Sequence, residues 1–312
     1  MSGAPQVDMS FACMGSTMRL LVDRQEDACW ARRYLEDFDR RLSRFRADSE
    51  LCALNRDPRA EVPASPLLRR AVRAAVGAAW ATDGLVDPTL VRALERTGYA
   101  SSWCGRRSAS LTLALAGAPP RRPAAPSARA RWREIEVDDE EGVVRRPPGV
   151  AIDTGGTGKG LAADIVAERL AGRGRFVVDC GGDLRLNGAY EVEVEHPLTG
   201  GSAHTLLLAS GGIATSGLAT RVWERPEGGW SHHLLDPSTE QPAWTGLLAV
   251  TACGPTALQA ETLSKAALLS GASEARSLLA AHGGILIHES GDVELVGAAP
   301  RRTLVRLPRA AA

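Results

Sequence analysis

The sequence predicts an α+β fold of mixed and antiparallel sheets with flanking helices. Three observations carry this. Trp30, Tyr34, Phe38, Leu42 and Phe45 recur at helical spacing, whereas Tyr190, Val192 and Val194 alternate with glutamates as in a half-exposed strand. Strands and helices also follow one another without the strict alternation of a doubly wound sheet.

The elements read in order as follows. Met14-Gly15-Ser16-Thr17 leads into an apolar strand. Residues 26 to 45 form an amphipathic helix. Ser65-Pro66 opens a second helix, with Ser as N-cap and Pro in the first turn. It runs through Ala71, Val72, Ala75, Val76 and Ala79 and stops near Gly84. Residues 118–130, rich in Pro, Ala and Arg and followed by the acidic run Asp138 to Glu141, read as an exposed, poorly ordered excursion. Val150-Ala151-Ile152 is a short strand entering a glycine-rich turn, and Leu161, Ile165, Val166 and Leu170 mark a helix beyond it. Phe176 to Cys180, Thr205 to Ala209 and Leu247 to Ala252 are strands. Pro255 starts a helix carrying Glu261 and Lys265, and Glu274 to His282 forms another. Strands near Ile285 and Val293 close the order. No internal repeat interrupts it.

Composition limits what this chain can do. Its 312 residues can bury a large core, and 44% apolar with 24% charged residues is ordinary for a globular protein. The formal net charge is zero, so no global field draws it to nucleic acid or an anionic membrane. No apolar run approaches a membrane span. Residues 1–12 lack the basic start and apolar centre of a secretion signal, so the expected location is the cytoplasm. The six cysteines are scattered without a CxxC pair, as expected of free thiols.

Of 37 basic residues only two are lysines, Lys159 and Lys265. Lys is a compact point charge and Arg a wide planar fork, so two retained lysines mark places where the fork will not do. Both fall in motif-like stretches. Lys159 lies in Asp153-Thr154-Gly155-Gly156-Thr157-Gly158-Lys159-Gly160, a turn between strand and helix whose N–H groups can wrap phosphate. It is not a Walker A loop: Asp153 stands where that motif has Gly, and Gly160 where it has Ser or Thr. It is not a GxGxxG fingerprint either.

Further stretches follow in order: Met14-Gly15-Ser16-Thr17, Gly84 to Thr89 (GLVDPT), Cys180 to Asp183 (CGGD), Thr215-Ser216-Gly217, His233 to Thr239 (HLLDPST), and Ala260 to Lys265 (AETLSK). In this order and spacing the set resembles the ApbE family, the FAD:protein FMN transferases, over roughly residues 14 to 271. That family writes the pieces MGT, GxFDPT, DLGxxAKG, GGD, TSG, HxxDPxTG and ADxxxT.

The resemblance implies one ApbE-like unit, residues 10–305, with a two-part α+β fold and FAD in the cleft between the parts. It implies magnesium-assisted cleavage of the FAD diphosphate and transfer of FMN to a Thr or Ser hydroxyl of a partner flavoprotein, with release of AMP. It also implies roles. Met14 lines the flavin site and Phe45 packs on the ring system. Leu85, Val86 and Asp87 match the flavin-contacting triplet. Asp153, Lys159 and Thr239 match FAD-binding positions. His233 activates or places the acceptor hydroxyl, since imidazole suits proton transfer near neutral pH. His232 competes for that role, and the spacing to Asp236-Pro237 favours His233.

The metal positions depart from the family. Gly156 matches the backbone carbonyl ligand, Glu261 replaces the first Asp, Ser264 occupies the second position and Lys265 replaces the Thr. One reading keeps magnesium on Glu261 and Gly156, with Lys265 on a phosphate. Another lets the Lys265 ammonium replace the metal, so that two lysines clamp the diphosphate. A third is a plain i, i+4 helix pair. The expected activity is FMN transfer. The alternatives are hydrolysis of FAD to FMN and AMP, and FAD binding without turnover.

Overall fold

The computed structural model describes residues 6–103 and 108–297. Its spine is an eight-stranded antiparallel sheet in which each strand pairs with the next in chain order. The strands are Val7–Cys13, Ser16–Val22, Phe176–Cys180, Asp183–Glu195, Ser202–Gly217, Leu247–Gly254, Gly284–His288 and Val293–Val296. Among the described residues, the long insertion after the second strand carries six α-helices, Gln25–Leu42, Glu50–Arg56, Pro66–Ala81, Val91–Arg96, Leu111–Ala116 and Gly158–Leu170, and a short 3-10 turn, Arg131–Glu134. It also carries a small sheet with Val143–Arg145 between Glu61–Pro63 and Glu136–Asp138. The Ala257–Leu279 helix fills the gap between the sixth and seventh sheet strands.

The sheet separates two cores. Side chains alternate across a strand, so Met18, Leu20, Val22, Phe176, Val178 and Cys180 enter one core with Leu35, Phe38, Val72 and the 158–170 helix. Their neighbours Leu21 and Val177 enter the other with Leu186, Leu206, Leu247 and residues 267–269 of the last helix. Burial on both faces explains why these strands read as apolar runs. Each fully buried Leu or Phe contributes about 1.5–3 kcal/mol.

Four local expectations are corrected. The first helix ends at Leu42, not 45, because Ser43 turns extended at φ −71°, ψ 123°; Phe45 therefore sits on a loop. Residues 150–152 are not a strand. The Asn55 side chain takes both backbone groups of Ile152, donating to its carbonyl and accepting from its N–H at 2.8 Å each. The Pro/Ala/Arg excursion is exposed but tied down: Arg122 and Ala124 N–H donate to the Trp244 and Leu269 carbonyls, and Ala125 N–H donates to Asp236. The two expected C-terminal helices join across a kink at Gly271, where φ is 77°. The Val7–Cys13 strand was not foreseen; it alternates half-buried and exposed residues against Ser16–Val22. Residues 298–305 of the expected unit, and Cys104, lie outside the described residues.

Candidate active site

A cavity of about 410 Å³ opens between the helical insertion on one side and Arg221, residues 233–235 and the Ala257–Leu279 helix on the other. The expected residues Met14, Phe45, Leu85, Val86, Asp87, Asp153, Gly156, Lys159, His233 and Lys265 all line it. They come from separate loops and helix starts, and the fold brings them to one place.

One end is apolar and aromatic. Met14 and Gly15 are the two-residue turn of the first hairpin, both at positive φ (50° and 68°), with Cys13 paired to Ser16. A two-residue hairpin of this hand requires that conformation, which is costly for a methionine. Phe45 meets Tyr99 edge-on at 5.4 Å between ring centres, and Trp103 and Trp223 complete the cluster. Arg44 threads through it, 4.1 Å from the Phe45 ring and 4.6 Å from Tyr99. Its guanidinium donates to the Tyr99 carbonyl at 2.8 Å and pairs with Asp153 at 3.2 Å. Asp87 accepts from the Thr89 amide and hydroxyl, and burial raises its pKa.

The other end is polar. Asp153 shapes the glycine turn: its carboxylate accepts from Gly155 N–H at 2.8 Å and its own N–H donates to the Pro88 carbonyl. The turn feeds the 158–170 helix, which places Lys159 in its first residues. Behind the turn, two helices cap each other. Asp164 of the 158–170 helix accepts from Ala257 and Leu258 N–H, both at 2.9 Å. Glu261 of the 257–279 helix accepts from Gly160 N–H at 2.8 Å. The helices touch closely there, since a Cβ on Gly160 would lie 2.7 Å from the Ala257 carbonyl carbon.

The other Glu261 oxygen holds the Lys265 ammonium at 2.9 Å. Glu261 is 1% exposed and Lys265 14%. Ser264, fully buried, shares a 2.8 Å hydroxyl contact with Ser216 and donates to the Glu261 carbonyl at 3.1 Å. Glu261 and Ser264 thus lie beneath the cavity and do not line it. Asp183, also buried, has its pKa raised by burial and then by Glu261, with the two lysines opposing. Both Glu261 oxygens are occupied within the protein and an ammonium sits on one of them. Magnesium takes hard oxygen donors in a near-octahedral shell, so the residues present do not fit it.

The two histidines separate cleanly. His232 is fully buried against Trp244, its Nδ1 accepts from Leu234 N–H, and burial pushes its pKa down to about 3. His233 lines the cavity beside Tyr99. Its Nδ1 has no hydrogen-bond partner among the described residues. Burial first, then Arg221, His232 and the two lysines, hold its pKa well below the usual histidine value.

Thr239 departs from expectation. The Asp236 carboxylate organises its turn by accepting from Ala125 and Ser238, and this leaves Thr239 exposed, away from the cavity. Sequence reasoning also passed over Arg44, Tyr99, Trp103, Trp223 and Arg221. Arg44 and Arg221 stood beside quoted motifs; the aromatics carried no signal, because they meet only in three dimensions.

The ApbE family sequence model matches residues 14–287. The FAD:protein FMN transferase of Haemophilus influenzae is 24% identical over 260 residues, covering 77% of this chain and 71% of that protein. The Vibrio cholerae protein of the same name is 25% identical over 293 residues, covering 86% and 82%. The crystal structure of the ApbE protein of Thermotoga maritima superposes with a TM-score of 0.77 at 25% identity, covering 93% of this chain and 97% of that one. The Vibrio cholerae flavin transferase ApbE gives 0.70 at 20% identity, which speaks for the fold. A family match over most of its length means that this chain belongs to the ApbE family.

Proposed function

We infer that this chain moves FMN from FAD to a hydroxyl of a partner flavoprotein and releases AMP. The observation that carries this is one cavity with a flavin-suited aromatic end and a phosphate-suited end of two lysines beside a neutral imidazole. The family's relatives named FAD:protein FMN transferase support the reaction class.

The residues divide the work by position. Met14, Phe45, Leu85 and Val86 offer apolar surface to an isoalloxazine, and Asp87 a polar edge. Lys159 and the glycine turn offer point charge and N–H donors to phosphate. Asp153 is the brace: held by Arg44, it fixes the turn. Because burial and neighbouring cations keep His233 unprotonated, its imidazole can accept the proton of an incoming Thr or Ser hydroxyl. The hydroxyl oxygen then bonds to the FMN-side phosphorus, the bond to the bridging oxygen breaks, and that oxygen leaves with AMP. Catalysis here is positioning and charge stabilisation. Thr239 and Ser264 stay outside this account. No step is assigned to magnesium, since two of its implied ligands, Glu261 and Ser264, are engaged within the protein.

The unit spans about residues 10–305 in this reading. Among the described residues no helix is long and apolar enough to cross a membrane. Five described cysteines are free, which supports a reducing, cytoplasmic setting. The test is chromatography of FAD, AMP and FMN after incubation with an acceptor domain. Acceptor-dependent AMP without free FMN supports transfer; equal AMP and free FMN means hydrolysis, and intact FAD means a binder.

A further inference from the structure

We propose that the Lys265 ammonium takes the place of a divalent cation at the diphosphate of FAD, so that this chain binds FAD without metal. This rests on the flavin-transfer reading of the cavity and deepens it.

Three observations converge. First, both Glu261 oxygens are already engaged, one accepting from Gly160 N–H and the other from Lys265, so a metal would have to share or displace one of these bonds. The Gly160 contact is half of the reciprocal capping that joins the two helices, so freeing that oxygen would break a buried structural bond. Second, the neighbouring hydroxyl, Ser264, is fully buried and committed to Ser216. Third, Lys265 reaches the cavity and runs against the glycine turn, where a Cβ on Gly156 would lie 4.0 Å from its Cε. An ammonium has three N–H donors. One is spent on Glu261, and two remain for oxygens of a ligand.

Charge points the same way. A divalent ion beside the fixed Lys265 ammonium would meet its repulsion at close range. The diphosphate carries two negative charges, and Lys159 and Lys265 present ammonium donors to it from different helices, the second with its charge shared with Glu261. Lys rather than Arg suits this place, because a point charge on a thin stem fits beneath a tight backbone turn where a planar fork does not. Glu261 then acts as a positioning residue that aims the ammonium.

The test compares ligand affinities, read by flavin fluorescence, after exhaustive chelation and again with excess magnesium. The probes are FAD, FMN and riboflavin. The wild-type chain is expected to bind FAD equally with and without magnesium. Lys265→Met is expected to weaken FAD about ten- to hundredfold, the range for losing one charge-assisted hydrogen bond, and to leave riboflavin unchanged. Magnesium-dependent FAD binding by the wild-type chain overturns the proposal, and this arm needs no variant to fold. Wild-type FAD affinity in a folded Lys265→Met protein also overturns it and leaves a plain helix pair. AMP release is scored separately. With an acceptor domain present, metal-independent FAD binding without AMP refutes the transfer reading and sustains this one, whereas acceptor-dependent AMP together with magnesium-dependent FAD binding does the reverse.

Discussion

The Lys265 ammonium lies 2.9 Å from the Glu261 carboxylate, and the other oxygen of that carboxylate takes the N–H of Gly160 on a second helix. One side chain thus ties a helix cap, a cation and the floor of the cavity together. Removing one partner of a buried pair leaves the other charge uncompensated, at about 3–5 kcal/mol. Glu261→Gln is therefore expected to lower the unfolding free energy by that order in urea titrations. A loss below about 1 kcal/mol, the scale of exposed pairs, would show that the pair is loose.

Gly160→Ala is a sharper test of the helix contact. The added Cβ would meet the Ala257 carbonyl carbon and the Leu258 nitrogen at 2.7 Å, and backbone cannot rotate away. Overpacking costs about 1–3 kcal/mol, or more where backbone must shift. A marked drop in thermal midpoint is expected, with FAD binding impaired even where the protein folds. An unchanged midpoint would mean that the two helices sit farther apart.

His233→Ala is expected to slow AMP release about 10²- to 10⁴-fold, with FAD affinity nearly intact, because the imidazole serves the incoming hydroxyl and not the bound flavin. In the wild-type chain the rate should stay level as pH falls through the ordinary histidine range, since the ring is already neutral there. A rate that tracks a histidine titrating near 6.5 would contradict the assignment.

His232 makes a separate, purely structural prediction. Its folded pKa is about 3 against an ordinary 6.5. Between those values the unfolded chain takes up the proton and the folded one does not, so stability present above pH 6.5 is lost as pH falls. The slope is at most about 1.4 kcal/mol per pH unit. Asp183 acts in the opposite sense, because its raised pKa favours the protonated folded state as pH falls. The difference between the wild-type chain and His232→Gln cancels that shared contribution. It should fall steadily below pH 6.5; a flat difference would refute a buried neutral His232.

Much of the site was readable because its polar half is written in contiguous motifs. The turn from Asp153 to Gly160 and the segment from Ala260 to Lys265 each specify local backbone, and the rarity of lysine marked the charges. The aromatic half was not readable. Tyr99, Trp103 and Trp223 lie on three segments whose approach is decided by packing. Arg44 looked like one more surface arginine until Asp153 came within 3.2 Å. Phe45 fitted the helical period by sitting three residues beyond Leu42, so periodicity could not reveal that Ser43 had already left the helix. Ile152 read as a strand residue because its apolar pattern says nothing of Asn55, almost a hundred positions away, which takes its backbone bonds. Glu261 shows the same limit in chemical form. Its place in a metal-like motif was plain, but its engagement by Gly160 is a tertiary fact.

Covalent transfer is read from the mass of an acceptor domain after incubation with FAD and this chain. The acceptor is expected to become heavier by one FMN, a gain lost when the target Thr or Ser is replaced by Ala, with one AMP released per acceptor labelled. An acceptor of unchanged mass in the presence of FAD turnover, or FAD that binds and stays whole, would contradict it.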